Sequence, residues 1–132
     1  MARYFYPAVF EPEEEGGYSI FFPDLPGCYT CGDDIADGLY MANDALAVWM
    51  CYLEDEKRQI PTPSSIEAIK HRKKTFVTYI ACDTLDYRKK MRKRAVKKTL
   101  SIPEWLDHAA TAAGINFSQT LQEALKEKLQ LS

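Results

Sequence analysis

The spacing of apolar side chains divides the chain into stretches of different period. Tyr4 to Phe10 and Tyr18 to Phe22 are rich in aromatic and β-branched residues, and they flank Glu11-Pro12-Glu13-Glu14-Glu15-Gly16-Gly17. Two such runs around a Gly-Gly loop predict a β-hairpin with an acidic tip. Phe22-Pro23-Asp24-Leu25-Pro26-Gly27 predicts a turn, because proline presets one backbone angle and glycine admits positive ones. Cys28 to Cys31 then reads as a short third strand. From Gly32-Asp33-Asp34 the period becomes helical, with a carboxylate placed to cap the start. Ile35, Leu39, Ala42, Leu46, Trp49, Met50 and Leu53 share one face over about five turns. Gly38 and Tyr40 interrupt that helix and lower its propensity. Pro61 and Pro63 break it into a loop over 59–65, and Phe76 to Ala81 (FVTYIA) reads as a further strand of the same sheet. A helix laid on these strands makes a two-layer α+β core with the order β-β-β-α-β.

The last third has its own pattern. Lys97 to Ile102 alternates, with Leu100 and Ile102 on one face and Lys97, Thr99 and Ser101 on the other, as in a half-buried strand. Pro103 cannot continue a ladder but suits the first turn of a helix. Trp105, Leu106, Ala109, Ala110 and Ala113 recur at helical spacing, Gly114 is a stop, and Asn116 or Ser118 caps a second helix with the stripe Leu121, Ala124, Leu125, Leu129. One strand and two short helices bury too little to fold alone. Pairing the strand with its copy from a second chain solves this, giving a two-stranded antiparallel ribbon over four helices. Over these 38 residues, Arg94 to Leu131, the chain resembles the ribbon-helix-helix repressors of the Arc and MetJ type. That resemblance implies a homodimer, or a higher oligomer such as a tetramer, whose ribbon enters the major groove of operator DNA. On that reading Lys97, Thr99 and Ser101 face base edges. Lys98 and Arg94 lie beside them, and the backbone amides near Asn116, Phe117 and Ser118 suit a phosphate.

A second resemblance lies at the front. Tyr6-Pro7-Ala8-Val9-Phe10, Gly17-Tyr18-Ser19-Ile20, Phe22-Pro23-Asp24-Leu25-Pro26-Gly27-Cys28, then Gly32-Asp33 and an amphipathic helix, resemble the HicB antitoxin family over roughly residues 4 to 65. The resemblance implies a partial ribonuclease-H-like fold without nuclease activity, and a basic RNA-cleaving toxin, HicA, as partner. It makes Glu11, Glu13, Glu14, Glu15 and Asp24, with Tyr18 and Phe22 beside them, the candidate toxin contacts, since an acidic surface meets a basic one. The expected organisation is a toxin-neutralising domain over 1–84, a basic linker over 85–95 and a ribbon-helix-helix domain over 96–132.

Charge supports two kinds of partner. Residues 1–66 hold 3 Lys+Arg against 12 Asp+Glu, and residues 67–132 hold 14 against 7, giving nets of −9 and +7. Between the modules, eight of the twelve residues from Tyr87 to Lys98 are basic. Such a run is either a solvated flexible linker or a phosphate-contacting arm. Among the four cysteines, Cys28 and Cys31 have a zinc-like spacing, but no second pair follows and His71 and His108 stand apart. Buried or half-buried structural thiols are expected for Cys28, Cys31, Cys51 and Cys82, with no metal and no cofactor.

A nuclease reading of Glu11, Glu13, Glu14, Glu15, Asp24, Asp33 and Asp34 is poor, because tips, turns and caps do not converge carboxylates as a metal site requires. No apolar run reaches membrane length and the start is strand-like, so a cytoplasmic non-enzyme without membrane contact is expected. The expected function is that of an antitoxin repressing its own operator. The alternative is a ribbon-helix-helix regulator whose front domain binds a small ligand.

Overall fold

The structure is a computed structural model that describes residues 2–131. Two compact units divide between Arg94 and Ala95. In the first, β1 (Arg3–Pro12), β2 (Tyr18–Phe21), β3 (Tyr29–Gly32) and α1 (Ile35–Asp55) are followed by a 3-10 turn (Ile66–Ala68), β4 (Phe76–Asp83) and α2 (Thr84–Met91). The strands form an antiparallel sheet in the order β3-β2-β1-β4. The expected β-β-β-α-β succession is present, with the third strand one residue later than the sequence pattern places it.

The core lies between α1 and one face of the sheet. Tyr6, Ala8 and Phe10 of β1 point into it with Ile20, Phe22, Leu25 and Ile80, and α1 contributes Ala42, Leu46, Met50 and Leu53. The register puts Phe10 opposite both Ile20 and Phe76. Phe10 and Phe76 stack at 4.8 Å, and the Tyr18 ring meets both edge-on. On the outer face, Pro7 and Val9 are also buried, and the Ile66 amide donates to the Tyr79 hydroxyl at 3.1 Å, so the 3-10 turn lies against β4.

The helix differs from its sequence pattern at its start. Asp34 caps it by accepting from the Asp37 amide at 2.8 Å, but Ile35 and Leu39 are exposed while Gly38 is buried. Gly38 faces inward, against the Phe10 and Ile20 side chains. A Cβ on Gly38 would lie 3.1 Å from the Phe10 ring, and one on Gly32 only 2.4 Å from the Gly38 Cα. The glycine that lowers helix propensity is therefore the contact that lets the helix approach the sheet.

Residues 84–91 are a helix, not the basic linker expected over 85–95. The Asp83 carboxylate accepts from the Leu85 and Asp86 amides at 2.9 and 3.2 Å, and Arg88, Lys89 and Lys90 fall in the last turn, where the helix dipole favours cations. The helix is held to α1 by ion pairs. Arg88 donates to Glu54 and to Asp55 at 2.9 Å each, and Arg92 donates to Asp55 at 3.0 Å. The Tyr4 and Thr84 hydroxyls donate to the same Glu54 carboxylate at 2.8 and 3.0 Å. Burial raises the Glu54 carboxyl, but a hydrogen bond from the N-terminal ammonium and then those from Arg88, Tyr4 and Thr84 outweigh it and hold the group down at about 2.

The second unit comprises α3 (Glu104–Ala112) and α4 (Phe117–Lys128). Gly114 between them sits at φ +72°. Asn116, not Ser118, caps α4, accepting from the Gln119 amide at 3.0 Å. The alternating stretch 97–102 forms no strand in the single chain. A strand needs a ladder partner, and neither helix of this unit presents one.

Candidate functional site

The seven acidic and aromatic positions of the hairpin region do not form one surface. Glu13, Glu14 and Glu15 are exposed at the tip, which is closed by the Glu13 amide donating to Gly17 at 2.9 Å. The Ser19 hydroxyl donates to Glu13, and Arg72 pairs with Glu11. Tyr18 is half-buried in the aromatic cluster. Phe22 is 1% exposed and belongs to the core, which corrects its expected place on a partner-facing surface. Asp24 is committed internally as well. Its carboxylate accepts from the Ser64 amide at 2.8 Å and the Ser64 hydroxyl at 2.6 Å, pinning the proline-rich loop to the 22–27 turn. Glu14 and Glu15 are thus the carboxylates of this set left without an internal partner among the described residues.

Charge is distributed differently from what the two halves of the sequence imply. The first unit, 1–94, holds 13 Lys+Arg and 15 Asp+Glu, a net of −2, and the second, 95–132, holds 4 of each, a net of 0. All of the excess basic charge of the sequence's back half therefore belongs to the first unit. Part of it is the exposed turn Lys70-His71-Arg72-Lys73-Lys74, which β4 pairing brings beside the acidic tip, as the Arg72–Glu11 pair shows. The run was visible in the sequence; its neighbour was not. Arg88 is largely buried in its ion pairs, so the part of the Tyr87–Lys98 run open to a polyanion begins with Lys89 and Lys90 and continues through Lys93, Arg94, Lys97 and Lys98.

Lys97, Thr99 and Ser101 are exposed, but so are Leu100 and Ile102. Trp105 is 71% exposed, Leu125 52% and Leu129 64%, and no residue of α3 or α4 is buried. Phe117 and Ser118 stand exposed in the first turn of α4, beyond the Asn116 cap.

A groove that the sequence does not signal lies between α1 and α2. It encloses about 550 Å³, with Tyr40, Asn43 and Asp44 on one wall and Asp86, Tyr87 and Lys90 on the other. Asn43 donates to the Ala81 carbonyl at the outer edge of β4.

The cysteines do not share a site. Cys28, Cys51 and Cys82 are buried, whereas Cys31 is exposed, contrary to the buried or half-buried thiol expected there. Burial pushes the Cys28 thiol up to about 11 and, with smaller charge effects, Cys82 up to about 12. Among the described residues no three His, Cys, Asp or Glu side chains cluster in a way that would hold a metal ion, and no helix is long and apolar enough to cross a membrane.

Relatives place this architecture. Antitoxin HicB 1 of Photorhabdus laumondii is 41% identical over 61 residues, covering 46% of this chain and 39% of the relative. Antitoxin HicB of Escherichia coli K12 is 33% identical over 66 residues, covering 50% and 48%. The matched stretch thus spans less than half the length of these curated relatives. Among solved structures, a chain of a toxin–antitoxin complex from Streptococcus pneumoniae superposes with a TM-score of 0.62 at 26% identity, covering 96% of this chain and 99% of that one. The family of HicB-like antitoxins of bacterial toxin–antitoxin systems matches residues 6–125. Spanning both units, that match shows that the chain belongs to the HicB-like antitoxin family.

Proposed function

We propose that the first unit binds and neutralises an RNA-cleaving toxin of the HicA type, and that the second unit, as a dimer or higher oligomer, binds the operator of its own gene and represses transcription. The observation that carries the second half is the contrast in burial between the units. The first has a complete core, while α3 and α4 leave Trp105, Leu125 and Leu129 in water. A unit with apolar faces at helical spacing and no core of its own is stabilised by a second copy. Pairing 97–102 with its copy would close a ribbon over the four helices and bury Leu100 and Ile102. The same pairing would turn Lys97, Thr99 and Ser101 outward together, the arrangement of a ribbon-helix-helix reader.

Support for the first half comes from family membership and from the two-layer fold, which we read as a partial ribonuclease-H-like module acting as a binding surface rather than a nuclease. The toxin-contacting part of this reading is 1–84, with Glu14 and Glu15 as its accessible tip carboxylates. The DNA-binding part is 96–132, with Lys98, Arg94 and the α4 start at Asn116, Phe117 and Ser118 on phosphates. The setting is the cytoplasm.

Deletion of 95–132 tests both halves. It should abolish dimer formation and operator binding while leaving toxin binding measurable by calorimetry. A truncated chain that still sediments as the intact dimer overturns the ribbon assignment.

A further inference from the structure

We propose that the groove between α1 and α2 seats a lysine or arginine side chain of the bound toxin, an inference that rests on the antitoxin reading above. The cavity, about 550 Å³, has the size of sites that hold a compact group. Its chemistry selects a cation. Asp44 is half-buried and makes no ion pair among the described residues. Lacking a cation of its own, the Asp44 carboxylate is left to attract one from a partner. Asp44 acts on the Tyr87 phenol, which is raised chiefly by burial and further by that charge, so carboxylate and ring belong to one site.

Tyr40 stands on the same wall as Asp44 and is 71% exposed. Ring faces attract ammonium and guanidinium groups, and the Ala47 and Met91 side chains suit the methylene stem of such a residue. The groove's own cations do not fill this role. Arg3 is engaged with Asp83 at 3.4 Å, and Lys90 on the α2 wall makes no ion pair among the described residues. Its charge opposes an incoming cation. Asp86 is exposed at the rim and offers a second carboxylate to a guanidinium.

The test uses the whole 132-residue chain and a purified HicA-type toxin, with affinity measured by titration calorimetry. Asp44→Asn keeps the shape and removes the charge, and should weaken binding about tenfold. Tyr40→Ala should weaken it less. Lys90→Ala should tighten binding severalfold, a change of opposite sign that a merely structural role does not produce. If the wild-type chain binds the toxin and both charge variants stay within twofold of it, the groove assignment is overturned and the antitoxin reading stands. If the wild-type chain does not bind the toxin, both fall. If Asp44→Asn loses its fold by circular dichroism, Lys90→Ala decides, and an unchanged affinity there overturns the proposal.

Discussion

The sharpest test of the fold is Gly32→Ala. An added Cβ would sit 2.4 Å from both the Cα and N of Gly38 and 3.0 Å from the Asp37 carbonyl carbon. Ordinary carbon contacts begin near 3.5 Å, so β3 and the first turn of α1 must separate by roughly 1 Å. The obstructing atoms are backbone, so no side-chain rotation relieves the clash. Moving the turn also lifts Gly38 from Phe10 and Ile20, on which it rests. Overpacking of this kind costs about 3 kcal/mol or more. For a unit of this size that is a fall in melting temperature on the order of 10–20 °C. Urea denaturation followed by tryptophan and far-ultraviolet signals should show a lower midpoint with an unchanged slope. Gly38→Ala is the internal comparison. Its Cβ meets side-chain atoms at 3.1 and 3.3 Å, and the helix gains about 1 kcal/mol in propensity. Its net cost should therefore be clearly smaller. A Gly32→Ala chain within 0.5 kcal/mol of wild type, or one less affected than Gly38→Ala, would refute the close-approach argument.

Glu54→Gln should destabilise the first unit by about 1–3 kcal/mol at neutral pH, because Arg88 keeps only Asp55 as a carboxylate partner. The Glu54 carboxyl is depressed to about 2, so its contribution is fully present above the ordinary carboxylate range near pH 4.5 and is lost as pH falls towards 2. Acid titration of wild type and variant should converge over that window; parallel curves would contradict the assignment. In the second unit, Leu125→Lys should shift the full-length chain from dimer to monomer in sedimentation, and an unaltered dimer would remove α4 from the interface. Lys97→Ala should weaken operator binding by about 1–3 kcal/mol if the side chain reads a base. Lys93→Ala should weaken all sequences alike and reduce the salt slope by about one, in band-shift assays across salt.

Much of the first unit was legible in the chain itself. Strand period, the Gly-Gly loop, the Pro-Asp-Leu-Pro-Gly turn and a carboxylate cap at Asp33 or Asp34 are local signals, each set by the conformational preferences of a few adjacent residues. So were α3, Gly114 and α4. The alternation over 97–102 was a local pattern too, but these residues form no strand here. Phe22, Asp24 and Glu11 show a different limit. Their types suit a surface contact, yet Phe22 lies in the core, Asp24 holds Ser64 across 40 positions and Glu11 holds Arg72 across 61. Only the tertiary structure assigns such partners, because sequence distance says nothing about which loops a sheet register brings together. The same holds for α2, which by composition is a charged linker and becomes a helix through the Asp83 cap and the Glu54 and Asp55 ion pairs. Gly38 reverses its meaning for that reason. By propensity it weakens a helix, but in the fold its missing Cβ leaves room for the Phe10 and Ile20 side chains, while its backbone lies against Gly32. The sequence by itself determined the elements and their order, since those follow from short-range preference and period. Burial, charge pairing and the α1–α2 groove were decided only when distant residues met, because those energies exist only between groups in contact.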